Sequence, residues 1–217
     1  SSGAFNCASR GLGPADMTYV FCTGETWLTA APTILYQLSG ELPKGVTGKD
    51  VFLYIAGIYG DATGMNVEFS GPGLASLSIS QRQSISTMCA EINAEFAIFP
   101  CDDRLRTYLK ARGDKDIDPV EPDADAEYYD IRHINLSDMV PYVAKPDFIP
   151  GNCVPVTETE GIKIDQVVVG SCSNGRLEDF RIVADLLKGK HIAKGVRMII
   201  TPASQRIYLQ MIRTRIA

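Results

Sequence analysis

The sequence lacks any apolar run long enough to cross a membrane. Its longest runs, such as residues 51–58, fall far short of the roughly 20 residues that a bilayer requires. The first residues contain neither a basic segment nor a long apolar one, so they do not resemble a secretory signal peptide. These absences predict a soluble protein, located by default in the cytoplasm, with no membrane partner.

The sequence also lacks an excess of basic residues. It contains 21 Lys and Arg against 26 Asp and Glu, so its formal net charge is −5. Proteins that bind nucleic acid usually carry a clustered basic surface, and this composition gives no sign of one. We therefore expect no nucleic-acid partner. An anionic small molecule stays possible as a substrate, because a few local arginines are enough to bind it.

Cysteines are few and are not spaced as metal knuckles. None of the six lies at C-x-x-C spacing from another, which excludes a zinc knuckle and a thioredoxin motif. A chain of 217 residues can bury a substantial core without disulfides. We therefore interpret the cysteines as reduced, small apolar side chains, with Cys172 as the one exception.

The order of the predicted elements indicates the α/β class. The clearest part is a strand over 163–169, a helix over 177–188, a strand over 196–201 and a helix over 204–212. Such a β-α-β-α unit implies parallel strands joined by a helical crossover. We predict a first α/β lobe over 1–140, a Pro- and Gly-rich linker over 141–161, and a lobe carrying the β-α-β-α unit over 162–217.

The turn between the strand at 163–169 and the helix at 177–188 carries the chemistry. It reads Gly-Ser-Cys-Ser-Asn-Gly-Arg over 170–176. In an open α/β sheet, ligands bind outside the carboxyl ends of strands, where backbone N–H groups favour a thiolate or an anionic ligand. Cys172 is therefore a candidate ligand or nucleophile. A small core cysteine is the alternative, and a nucleophile would need a base such as His133 or His191.

Several motifs resemble those of the aconitase and 3-isopropylmalate dehydratase family. The resemblance is strongest over 163–201, where the turn at 170–176 differs from the family's usual Gly-Ser-Cys-Thr-Asn only in having Ser173. It extends in one register over nearly the whole chain. The other matching segments are Gly-Leu-Gly-Pro-Ala-Asp-Met at 11–17, Thr-Gly-Glu-Thr-Trp at 23–27, Leu-Pro-Lys-Gly-Val at 42–46, Val-Glu-Phe-Ser-Gly-Pro-Gly at 67–73, Val-Ala-Lys-Pro at 143–146 and Thr-Pro-Ala-Ser at 201–204.

The resemblance implies a hydro-lyase with a three-layer α/β/α fold and mainly parallel sheets. Family members isomerise a hydroxy di- or tricarboxylate by dehydration and rehydration on a four-iron, four-sulfur cluster. Cys172 matches a cluster ligand, and Glu68 matches a catalytic carboxylate near the water bound to the cluster. Four further residues are candidates for binding the substrate: Ser171, Asn174, Arg176 and Ser204. Two simpler interpretations stay open: Glu68 as an ordinary strand residue, and Arg176 as a surface arginine paired with Glu178 or Asp179.

Two family motifs are missing from the sequence. The remaining cluster cysteines, expected as C-x-x-C after residue 217, and an Asp-Ser-His-Thr motif before Gly3 do not occur. We therefore expect an incomplete, inactive piece of a large subunit, whose partner is a small subunit. The motifs favour the isopropylmalate and homoaconitate branch over aconitase or a methyl-substituted malate dehydratase. The alternative, from a different class of function, is a relative that lacks the cluster and either acts as a regulator or binds RNA.

Overall fold

The computed structural model describes residues 2–113 and 118–216. The chain divides into two compact units, Ser1–Pro155 and Val156–Ala217. The α/β class with mainly parallel strands, predicted from the sequence, is confirmed in both units. Among the described residues, no helix combines the length and the apolar composition that a membrane span needs.

The first unit is built on a four-stranded parallel sheet in the order β3-β2-β1-β4. Its strands are β1 (Thr33–Ser39), β2 (Asn66–Ser70), β3 (Ala97–Ile98) and β4 (Asp130–Asn135). Its helices are α1 (Pro14–Thr23), α2 (Gly48–Tyr59), α3 (Ile79–Met88) and α4 (Asp103–Lys110). Short 3-10 helices occur at Ser2–Phe5, Pro72–Ser76, Cys89–Ile92 and Leu136–Asp138.

The core of the first unit lies on one face of this sheet. Alternate residues of a strand point to opposite faces, so Tyr36 on β1 and Phe69 on β2 enter the core together. Their rings stack, and Phe69 stacks in turn on Phe99 at 4.4 Å between ring centroids. Helix α2 contributes Phe52 to the same core. Glu68, between the buried Val67 and Phe69, therefore points away from this core.

The segment 141–161, predicted as a linker, belongs largely to the first unit. It contains the antiparallel strands β5 (Tyr142–Ala144) and β6 (Cys153–Pro155), which pack on α2. The carboxylate of Asp50, in the first turn of α2, accepts the backbone N–H of Tyr142 at 2.9 Å. The helix and β6 approach so closely at Gly57 that an added Cβ would collide with the Cys153 carbonyl. The division between the units therefore falls at residues 155 and 156.

The second unit contains the predicted β-α-β-α arrangement. After a 3-10 helix at Val156–Thr159, its elements are β7 (Gln166–Gly170), α5 (Ser171–Asn174), α6 (Leu177–Leu187), β8 (Arg197–Thr201) and α7 (Gln205–Arg213). Strands β7 and β8 pair in parallel in the register Gln166 to Arg197, so the predicted pairing is confirmed. The strand predicted over 163–169 begins three residues late, at Gln166, and the three residues before it are exposed.

Candidate functional site

The turn after β7 depends on two residues with positive φ. Gly170 has φ 120° and Ser171 has φ 69°. A Cβ at position 170 would collide with the carbonyl oxygen of Thr201 on the neighbouring strand, so only glycine fits there. Ser171 occupies the left-handed region without being glycine, a conformation that costs energy and occurs often at functional sites. The chain therefore turns sharply where the strand ends.

Cys172 lies directly after this turn, in the single helical turn α5. Its side chain is exposed, so the interpretation as a buried core cysteine is wrong. It sits at the carboxyl end of β7, at the edge where a parallel sheet usually binds its ligands. Within residues 2–113 and 118–216, no three His, Cys, Asp or Glu side chains are grouped so that they could hold a metal ion.

A carboxylate on α6 organises the rest of the turn. Asp179 accepts the backbone N–H of Arg176 at 2.9 Å and the side-chain amide of Asn174 at 3.3 Å. The guanidinium of Arg176 donates to the backbone carbonyl of Ser173. These bonds hold the turn on the carboxyl-terminal side of Cys172. They also fix the orientation of the Asn174 amide, because its NH₂ group must face the carboxylate.

The side-chain oxygen of Asn174 is an orphaned acceptor. This Oδ1 atom is buried and has no hydrogen-bond partner among the described residues. Buried polar atoms are nearly always paired, and unpaired ones tend to mark a ligand or a missing partner. The turn that presents Cys172 therefore also presents an unsatisfied acceptor.

Ser204 lies at the same edge of the strand pair. It follows β8 and caps α7, where its hydroxyl accepts the backbone N–H of Ile207 at 3.3 Å. The two turns at this edge are tied together, since the backbone N–H of Ala203 donates to the Gly175 carbonyl at 3.0 Å. The fold thus brings five of the six candidate residues to one edge: Ser171, Cys172, Asn174, Arg176 and Ser204.

Glu68, the sixth candidate residue, belongs to the first unit. It is half-buried in the middle of β2, and its Oε2 accepts the hydroxyl of Tyr128 at 3.0 Å. Burial raises the pKa of Tyr128, and the hydrogen bond and charge of Glu68 raise it further. The phenol therefore stays protonated and acts as a donor at neutral pH.

Tyr128 was not predicted from the sequence, and Asp179 was considered only as a carboxylate that pairs with Arg176. The capping role of Asp179 could have been predicted, because an acidic residue three positions after the N-cap is a recognised capping pattern. Tyr128 could not, because it lies 60 residues from Glu68 and only the folded sheet brings the two together.

The second unit thus defines a class: an α/β protein that presents an exposed thiol at the carboxyl edge of parallel strands. Comparison with known proteins identifies the family of the chain. The family model described as "Aconitase family (aconitate hydratase)" matches residues 1–160 and 154–216. The chain belongs to the aconitase family.

Curated relatives carry more specific names. The chain is 50% identical over 213 residues to the 3-isopropylmalate dehydratase large subunit of Mycolicibacterium smegmatis, covering 98% of this chain and 50% of that protein. It is 42% identical over 208 residues to 3-isopropylmalate dehydratase large subunit 1 of Methanopyrus kandleri, covering 95% and 50%. It is also 42% identical over 210 residues to the 2,3-dimethylmalate dehydratase large subunit of Eubacterium barkeri, covering 95% and 50%. The chain therefore spans about half the length of the curated relatives it matches.

Proposed function

We propose that this chain is part of the large subunit of a 3-isopropylmalate dehydratase. Such an enzyme is a hydro-lyase, which would move a hydroxyl group between adjacent carbons of the substrate during leucine biosynthesis. The observation that carries the proposal is the exposed Cys172 in the Gly-Ser-Cys-Ser-Asn turn at a strand end. The 50% identity to the Mycolicibacterium smegmatis protein supports this substrate over others.

A second candidate is dehydration of 2,3-dimethylmalate. The 42% identity to the Eubacterium barkeri large subunit equals that to the Methanopyrus kandleri protein. Both substrates are malates that carry alkyl groups, so the same acid, base and carboxylate-binding groups would serve either one. Citrate and homocitrate, the substrates of aconitase and homoaconitase, carry a third carboxylate in place of such a group. The choice among them depends on the pocket for this group.

The residues of the second unit fit one corner of a four-iron, four-sulfur cluster. Such clusters are held by several cysteine thiolates, and Cys172 offers an exposed one at a turn rich in backbone N–H groups. The other thiolates would come from outside the described residues. When bound, the cluster supplies a Lewis-acidic iron that stabilises the departing hydroxide.

The remaining candidate residues have roles that follow from their chemistry. Glu68 is a half-buried carboxylate suited to hold or move a proton at a carboxylate oxygen. Ser171, Arg176 and Ser204 would donate hydrogen bonds to substrate carboxylates at the edge of β7 and β8. The orphaned Oδ1 of Asn174 would accept a hydrogen bond from a hydroxyl group of the substrate or from water.

A small subunit is the proposed partner. The relatives named above are called large subunits, which implies a smaller companion in each of those enzymes. We infer that this protein works in the same way, in solution in the cytoplasm, and that the 217-residue chain is inactive when alone.

The experiment that tests this function is a substrate comparison. The complete large subunit carrying this chain is reconstituted anaerobically with iron and sulfide, mixed with its small subunit, and assayed with 3-isopropylmalate, 2,3-dimethylmalate, citrate and homocitrate. We expect the highest kcat/KM with 3-isopropylmalate. A higher value with 2,3-dimethylmalate would favour the second candidate, and no turnover of any of the four would contradict the proposal.

A further inference from the structure

We propose that Tyr128 is a positioning residue for Glu68: it fixes one carboxylate oxygen and leaves the other for the ligand. This inference rests on the proposed role of Glu68. Tyr128 is distant from Glu68 in sequence and belongs to none of the motifs described above. The two side chains meet at 3.0 Å between the Tyr128 hydroxyl and Oε2 of Glu68.

The surroundings of Glu68 make such a partner necessary. Strand β2 lies between β1 and β3, and the register pairs Glu68 with Leu35 on one side and Ile98 on the other. Paired residues of neighbouring strands share a face, so the carboxylate stands between two aliphatic side chains, one of which is only 6% exposed. A carboxylate beside apolar side chains is costly unless a hydrogen bond compensates it.

Tyr128 is held well enough to act as a fixed donor. It is half-buried, and its neighbour Tyr129 donates its backbone N–H to the Thr33 carbonyl at 2.9 Å, at the start of β1. The segment before β4 is therefore anchored on the sheet next to the Tyr128 side chain. A tyrosine has only two side-chain torsions, so an anchored backbone and partial burial restrict its hydroxyl strongly.

The contact leaves one oxygen of Glu68 available. Within the described part of the chain, Tyr128 is the only hydrogen-bond donor to this carboxylate, and Oε1 accepts no bond. His133 on β4 shares this face but is exposed, and its register partner is Gln37 rather than Leu35. A neutral phenol orients the carboxylate without cancelling its charge, whereas a lysine or arginine would form an ion pair with it. Tyr128 therefore orients Glu68 without forming an ion pair with it.

The hydrogen bond itself is tested without any activity assay. The complete large subunit is labelled with [13Cζ]tyrosine, and the Tyr128 signal is assigned by its loss in Tyr128→Phe. In Glu68→Gln, the pKa of Tyr128 should fall toward its ordinary value, because the charge is removed while burial stays the same. A Tyr128 pKa that does not change in Glu68→Gln would overturn the proposed contact.

The positioning role is tested in the reconstituted enzyme. Tyr128→Phe removes one hydroxyl, and Tyr129→Phe is the matched control because Tyr129 is adjacent and 67% exposed. We expect kcat to fall about tenfold in Tyr128→Phe with KM almost unchanged, since a hydrogen bond to a charged group is lost away from the substrate. Tyr129→Phe should match the unmodified enzyme. An unchanged kcat in Tyr128→Phe, or a change in KM alone, would overturn the positioning role.

One further variant separates the proposed role of Glu68 from its contact with Tyr128. Glu68→Gln should lose most of its activity if Glu68 moves a proton. Full activity in that variant would contradict the proposed role of Glu68, and the Tyr128 titration would still decide whether the contact exists.

Discussion

Asp179 on α6 accepts hydrogen bonds from both Arg176 and Asn174, at 2.9 and 3.3 Å. One carboxylate thus holds two of the residues that follow Cys172 in the turn after β7. It also lies in the first turn of α6, where a negative charge is favoured by the helix dipole. The turn that presents the thiol is therefore stabilised from the helix behind it.

The first prediction concerns this carboxylate. Asp179→Ala should lower the free energy of unfolding by about 1–2 kcal/mol, because the helix loses a capping acceptor and Asn174 loses its partner. Asp185→Ala is the control, because Asp185 lies exposed on the same helix. Urea denaturation followed by circular dichroism measures both. Equal effects of the two substitutions would mean that Asp179 does not stabilise the turn.

The second prediction concerns the backbone before Cys172. Gly170→Ala should destabilise the chain by at least about 3 kcal/mol, because the new Cβ meets the Thr201 carbonyl in a conformation that suits only glycine. Gly189→Ala is the matched control: its φ is also positive, at 72°, but the space around it is open. It should cost about 1 kcal/mol. A Gly170→Ala variant as stable as the control would contradict the close approach of β7 and β8.

The third prediction concerns pH. Arg82 is fully buried and donates to Asp102 at the start of α4. Burial alone would raise the pKa of Asp102, but the hydrogen bonds from Arg82 and from the Leu105 backbone outweigh it and lower the pKa. A lowered pKa in the folded state contributes stability above the unfolded value, about 3.9, and that contribution is lost as the pH falls through the folded value.

Urea denaturation between pH 6 and pH 2 therefore tests the pair. Below about pH 4 the unmodified chain should lose more stability than Asp102→Asn, which has no carboxylate to protonate at this position. Asp103→Asn, at the exposed neighbouring position, should follow the unmodified chain. If the free energy of unfolding falls in parallel for the unmodified chain and Asp102→Asn, the Arg82–Asp102 pair makes no pH-dependent contribution to stability.

Much of the fold could be predicted because its signals are local. The apolar run of β7, the turn and the amphipathic α6 lie next to each other in sequence, so the parallel pairing with β8 followed from them. Helix α3 ends at Met88 and continues as a 3-10 helix to Ile92, because Asn93 takes a left-handed conformation that stops it.

Features of the fold that depend on contacts between residues far apart in sequence could not be predicted. The β5 and β6 pair looked like a linker because its Pro and Gly residues are typical of loops. It packs on α2 only through contacts such as the bond from Tyr142 to Asp50, 92 residues apart. The contact of Glu68 with Tyr128 could not be predicted for the same reason. By contrast, the proximity of the candidate residues at the edge of β7 and β8 could be predicted, because most of them lie in one turn of the chain.

The central claim is that Cys172 binds the iron–sulfur cluster, and the most direct measurement is the iron content after reconstitution. The complete large subunit should take up about four irons per chain together with the cluster's charge-transfer absorbance. Cys22→Ser, which changes another exposed cysteine, should reconstitute normally. Cys172→Ser should bind far less iron, lack that absorbance and have no isomerase activity with the small subunit. A normal cluster and full activity in Cys172→Ser would contradict the account.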